Sequence, residues 1–223
     1  RLPERMRPRV FAPALRAGGA SVSSVGHGRQ RVADAVAEAT RDCSYVVPPW
    51  LTPSREALIE TLREDWLPET LTRAHFTSGG SESNEVAIKL ALHYQQAIGQ
   101  HQKTKIIGRS VSYHGTTLVT ASLSGHPMRK KGLEGALPKF CEVDTPYPLR
   151  SPLGPHHEDT GKYYANLLRE EIQRQGPETV AAFLAEPITG TSGGAIVPPD
   201  DYWPLVRGIC DEFGVVLIID EVM

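Results

Sequence analysis

The run Ser78-Gly79-Gly80-Ser81 has the make-up of an anion cradle. Glycines let a backbone approach an anion closely. A helix start presents free N–H groups and a positive dipole end, and a serine hydroxyl adds a donor. Gly-Ser turns also begin many helices that bind nothing, so by itself the run gives only an anion site. No Gly-Lys-Ser/Thr follows it, so it is not a Walker A loop, and it lacks the third glycine of the dinucleotide fingerprint. Two carboxylates have a comparable setting. Glu186 follows the apolar run Val180–Ala185, and Asp220 follows the apolar run Val215–Ile219. Each alone reads equally well as a residue capping its loop. Together with the glycine turn they point to a ligand site. The group His156-His157-Glu158-Asp159 is contiguous in a Pro/Gly-rich loop, not spaced on one helix face, and no second cluster supports it. No metal site is expected.

These residues need elements that bring them to one rim. The spacing of Val32, Ala35, Val36 and Ala39 predicts a helix, and Ser54 is placed to cap a second one carrying Ala57, Leu58 and Leu62. Ala74-His75-Phe76-Thr77 reads as a short strand running into the glycine turn. A long helix then carries Val86, Leu90, Tyr94 and Ala97 in register. Strands are predicted at 105–108 and 139–143, and a helix over about 162–174. The runs 180–185 and 215–219 fit strands buried on both faces, as in a parallel sheet. Between them Tyr202, Leu205, Val206, Ile209, Cys210 and Phe213 form one helical stripe, with Asp201 as its cap and Gly214 as its end. Strand, helix, strand is the βαβ unit of an α/β domain, whose ligands bind at the carboxyl ends of the strands.

Composition narrows the classes. The 223 residues are 40% hydrophobic and 22% charged with net charge -2, as in a globular protein with a real core. There is no basic field for nucleic acid or an anionic membrane surface, and no apolar run long enough to span a bilayer. Cys43, Cys141 and Cys210 are too few and too scattered for a disulfide framework or a zinc site. They read as reduced thiols of a cytoplasmic protein. Residues 1–20, rich in Arg and Pro, are expected to be an irregular or aberrant segment, 21–70 a helical segment and 71–223 part of a larger ligand-binding domain. The chain opens on Arg1 and stops at Met223 directly after an apolar strand, so a fragment is expected.

Five motifs in order then make the chain resemble the class III aminotransferases, the ornithine, acetylornithine and omega-amino-acid group. They are Gly26-His27-Gly28, Ser78-Gly79-Gly80-Ser81-Glu82-Ser83-Asn84-Glu85, Ser112-Tyr113-His114-Gly115, Ala185-Glu186-Pro187-Ile188 and Ile219-Asp220-Glu221-Val222. The resemblance runs from about Ser21 to Met223. It implies part of a fold-type I large domain, α/β with a mostly parallel sheet flanked by helices. It also implies a homodimer that holds pyridoxal 5'-phosphate (PLP) between this domain and a small C-terminal one.

By that resemblance, the N–H groups of Gly80 and Ser81 and the Ser81 hydroxyl hold the cofactor phosphate. Tyr113 stacks on the pyridine ring, although core packing explains a lone aromatic equally well. His114 helps position ring or substrate, against a purely structural histidine. Asp220 pairs with the pyridine nitrogen and keeps it protonated, so that the ring acts as an electron sink. Val222 packs on the ring face opposite Tyr113. Glu186 orders the pocket from behind, and Glu221 points away from Asp220 by strand alternation. Met223 stands where many members carry a polar residue. The family's Schiff-base lysine, its small domain and its substrate-carboxylate arginine lie beyond Asp220-Glu221, and no lysine from Lys89 to Lys162 has the needed context. The chain alone is therefore expected to be inactive, and it is expected to be poorly soluble because Val215–Ile219 would be an uncovered or unpaired strand without its missing neighbours. It reads as a piece of an enzyme that moves an amino group from an amine or omega-amino acid to a 2-oxo acid. Two other readings stay open: a non-catalytic remnant kept as a binding or dimerising module, and a related PLP aminomutase or decarboxylase.

Overall fold

The computed structural model describes residues 24–47 and 50–223, and the chain divides into two compact units, 1–76 and 77–223. The irregular segment expected over residues 1–20 lies outside the described residues, as does the Pro48-Pro49 pair.

In the first unit, Gly26 and Gly28 take φ values of +78° and +67°, the left-handed region glycine favours. They lead into α1 (Gln30–Asp42), where the apolar spacing placed a helix. Helix α2 (Pro53–Asp65) starts earlier than expected: Thr52, not Ser54, is its cap, accepting the Arg55 N–H at 3.3 Å. Pro53 then fills the first helical position, where a missing N–H costs nothing. The Arg55 guanidinium donates to the Val47 and Trp50 carbonyls at 3.2 and 2.7 Å. The strand expected over 74–77 is absent. No described strand takes up its backbone groups, and an extended segment without a partner is not a strand.

The second unit is a three-layer α/β domain. In chain order it contains α3 (Gly80–Ala97), β1 (Lys105–Arg109), α4 (Leu118–Leu123), α5 (Pro127–Lys130) and β2 (Cys141–Val143). Then come α6 (Thr160–Gln175), β3 (Val180–Ala185), α7 (Tyr202–Phe213) and β4 (Val216–Ile219). The four strands pair in parallel in the order β2-β1-β3-β4. Strand alternation sends Ile107 and Phe183 to one layer with Leu168, Val206 and Ile209, and Ile106 and Leu184 to the other with Ile88 and Ala91. Every residue of β3 is buried, as the continuous apolar run predicts. Among the described residues β4 pairs with β3 alone; Val216 to Ile218 are half-buried and Ile219 is exposed, in keeping with the uncovered strand expected at this end.

Two local expectations are corrected. Helix α3 buries Asn84, Ile88, Ala91 and Gln95, while Leu90 and Tyr94 from the predicted stripe are 58% and 55% exposed. The buried polar pair is tolerated because each has partners: Gln95 Nε2 donates to the Ala181 and Gly214 carbonyls at 3.1 and 2.9 Å. Asp201 makes no capping bond to α7. Its carboxylate lies instead against Gly161, where any Cβ would collide with it. Gly214 does end α7 in the left-handed conformation, at φ 60° and ψ 38°. At the amino ends of the strands Lys103 Nζ donates to the carbonyls of Pro177, Val180 and Phe213. That lysine ties the sheet on the side away from Asp220.

Candidate functional site

The carboxyl ends of the strands and the start of α3 enclose a cleft of about 540 Å³, lined by Gly80, Ser81, Asn84, Tyr113, His114, Asp220 and Val222 among others. Six of the seven residues expected at a cofactor are thus brought to one place. At one end, Gly79 is extended and α3 begins at Gly80, so the first N–H groups of the helix have no carbonyl of their own to bond. Ser81 Oγ accepts the Thr116 N–H at 3.0 Å, which leaves the hydroxyl proton free to donate. The approach is close: Gly115 has φ +145°, and a Cβ there would overlap Ser81 Oγ and Thr120 Oγ1.

At the other end, the Asp220 N–H donates to Ala185 O at 3.0 Å and carries the β3–β4 pairing one residue past the strand. Asp220 Oδ2 receives Asn84 Nδ2 at 2.9 Å and lies 2.9 Å from His114 Nδ1. The tautomer protonated at Nδ1 donates there. His114 Nε2 is buried and has no partner among the described residues. Between the two ends Tyr113 lines the cleft, with the Arg129 guanidinium 4.1 Å from its ring centroid. Glu221 also lines the cleft.

Glu186 is set apart. It does not line the cleft but stands behind it, with Oε1 accepting the Gly190 N–H at 3.1 Å. Arg109, wholly buried, donates to the Glu186 main-chain carbonyl at 2.6 Å and to Thr189 Oγ1 at 3.3 Å, and its guanidinium is 3.8 Å from the Glu186 carboxylate. Burial pushes the Glu186 carboxyl above the usual range. The Gly190 N–H and the charges of His114 and Arg109 oppose that shift. Met223 lies against Gly190, its Cγ 3.2 Å from where a Cβ would sit.

Residues 16–223 match the family model described as aminotransferase class-III. The chain belongs to the class-III aminotransferases. This family is PLP-dependent. The chain is 38% identical over 219 residues to a probable aminotransferase of Mycobacterium tuberculosis, covering 97% of this chain and 46% of that protein. It is 35% identical over 204 residues to the mitochondrial gamma-aminobutyrate transaminase 1 of Oryza sativa subsp. indica, covering 90% of this chain and 39% of that protein. Its fold is similar to a PLP-bound amine transaminase from an uncultivated Pseudomonas species, with TM-score 0.82 and 33% identity. That match covers 92% of this chain and 47% of the other. The chain thus spans about half the length of the curated relatives it matches.

The donor set of this class-III domain fits PLP. Free helix N–H groups and a hydroxyl suit a phosphate, a fixed carboxylate suits a pyridinium, and an aromatic ring lies between them. Among the described residues no lysine lines the cleft. Two buried residues of the site escaped the sequence reading, Asn84 and Arg109. Asn84 stood inside the Ser78–Glu85 motif, and its place on the face of Ile88 and Ala91 was the available signal. Arg109 had none, because a charged residue closing a short strand reads as a solvated end.

Proposed function

We propose that residues 77–223 form the phosphate and ring-nitrogen side of a PLP site in an aminotransferase. The enzyme moves an amino group from an amine or omega-amino acid to a 2-oxo acid. The observation that carries this reading is the placement of Asp220. Two neighbours fix one of its carboxylate oxygens, and it faces the cleft into which the α3 N-terminus also opens. When bound, PLP supplies an electron sink for the carbanion formed at the substrate carbon. The chain's own residues bind and orient. Gly80 and Ser81 would donate N–H groups to the phosphate, and the Ser81 hydroxyl would add a third donor. Asp220 would accept from the ring nitrogen and hold its proton there. Tyr113 and Val222 would pack against the ring, and His114 would act through Asp220.

The substrate class is supported by the names of the relatives, which include an enzyme of gamma-aminobutyrate and one of amines. The test is amino transfer by the whole protein, with gamma-aminobutyrate or a primary amine as donor and pyruvate or 2-oxoglutarate as acceptor. Formation of the new amino acid is expected. Binding of PLP without transfer from any donor favours the non-catalytic reading, and consumption of more donor than there are sites, without an acceptor, favours a decarboxylase or aminomutase. We take the whole protein to be a homodimer, which light scattering tests. For residues 1–223 alone, borohydride should fix PLP to no particular lysine. Specific labelling of one lysine together with turnover would overturn this part.

A further inference from the structure

We propose that Asn84 is a positioning residue that sets Asp220 against the α3 N-terminus. The inference rests on the reading of the cleft as a PLP site. Asn84 is 6% exposed and uses both amide hydrogens. One goes to the His114 carbonyl at 2.8 Å and the other to Asp220 Oδ2 at 2.9 Å. The single amide thus joins three separate segments: the first turns of α3, the loop after β1 and the end of β4.

Its neighbours on the helix strengthen the link. Ser81 Oγ takes the Thr116 N–H at 3.0 Å, and Glu85 Oε1 takes the Thr117 hydroxyl at 2.6 Å. Residues 81, 84 and 85 lie on one face, as spacings of three and four require. They hold residues 114–117 at three successive points, so the loop carrying Tyr113 and His114 cannot shift without α3.

The electrostatic consequence concerns Asp220. Asn84 and His114 both bond Oδ2, while Oδ1 makes no hydrogen bond among the described residues. One oxygen is consumed in orienting the group, and the other is left for a ligand. Two donors on Oδ2 fix the orientation in which the carboxylate would meet a pyridinium. A residue that merely filled the core would not need its amide on a cleft carboxylate.

The test compares Asn84→Ala and Asn84→Asp with the unaltered whole protein, with Lys89→Ala as control, since Lys89 is exposed on the same helix. The readouts are the dissociation constants of PLP and of inorganic phosphate between pH 5 and 8. Asn84→Asp keeps the shape but sets a carboxylate against Asp220. At pH 8 it should weaken PLP about tenfold or more, in line with the loss of a hydrogen bond to a charged group. Inorganic phosphate, which needs only the α3 end, should change less than about twofold. As the pH falls, a protonated carboxyl at 84 donates again, so the ratio of variant to unaltered affinity should recover. Taking the ratio at each pH cancels the titration of PLP itself. Should Asn84→Ala fail to fold, Asn84→Asp carries the test alone through this pH-dependent ratio. PLP affinities within twofold of the unaltered protein with a flat ratio, or equal losses for phosphate and PLP, overturn the proposal. Failure of the underlying reading is seen separately, as no PLP binding by the unaltered protein or no effect of Asp220→Asn.

Discussion

Arg109 and Glu186 are buried side by side, the guanidinium bonded to the Glu186 main chain at 2.6 Å and 3.8 Å from its carboxylate. Burial pushes the Glu186 carboxyl up and the Arg109 guanidinium down, so each charge is disfavoured on its own. A carboxyl raised in the folded state binds its proton more tightly there than in the unfolded chain. Its contribution to stability is therefore full below the unfolded carboxylate range and is lost as pH rises through the raised value. Glu186→Gln removes this titration, so its unfolding free energy should vary less with pH above about 4 than that of the unaltered protein. At low pH its level should lie near that of the unaltered protein, because Gln matches the protonated carboxyl in shape and charge. Urea unfolding at a series of pH values measures both, and two parallel curves would contradict the assignment.

Gly115→Ala should damage the anion end of the cleft. Its φ of +145° disfavours any side chain, and the new Cβ overlaps Ser81 Oγ and Thr120 Oγ1. A loss of phosphate affinity of about tenfold is expected, together with a destabilisation of about 1–3 kcal/mol. Gly135→Ala is the control, since nothing lies within 4 Å of a Cβ there. Equal behaviour of the two variants in a phosphate titration would refute the close-approach argument.

The thiols should differ sharply in reactivity. Cys43 is exposed, whereas burial pushes the Cys210 thiol up to about 12. At pH 8 only about one part in ten thousand of Cys210 is thiolate, and the thiolate is the nucleophile. A disulfide reagent should label Cys43 rapidly and reach Cys210 only on unfolding. Mass spectrometry of the native protein reads this directly, and rapid labelling of Cys210 counts against the packing described.

Leu168 on α6 is fully buried in the layer formed with α7. Leu168→Ala should cost about 2–5 kcal/mol, the range for opening a cavity in a close-packed core. A loss below about 1 kcal/mol in denaturant unfolding would mean that this layer collapses around the missing atoms.

What was legible differs from element to element. The run Val180–Ala185 announced a central strand because burial on both faces demands continuous apolar residues. Val215–Ile219 looked the same, and β4, which pairs only with β3 among the described residues, is half-buried, as a strand lacking a second neighbour would be. The α3 stripe was misread. Asn84 and Gln95 are buried because carbonyls and a carboxylate from distant segments meet them. Composition records no such partner. The 74–77 segment was read as a strand from local preference, which cannot supply a neighbour.

The sequence alone determined the chemistry on offer: a glycine-serine helix start, an aromatic-histidine pair and two carboxylates after apolar runs, in the order of the class-III aminotransferases. These signals are local, since a helix start or a strand end is built from neighbouring residues. The tertiary structure decided the division of labour. It placed Asp220 in the cleft and Glu186 behind it beside Arg109, although both carboxylates follow similar strands. It also chose Asn84 as the link between the two ends of the site. Those outcomes depend on strand order and on hydrogen bonds between residues 30 and 136 positions apart. Such contacts exist only once the sheet has assembled.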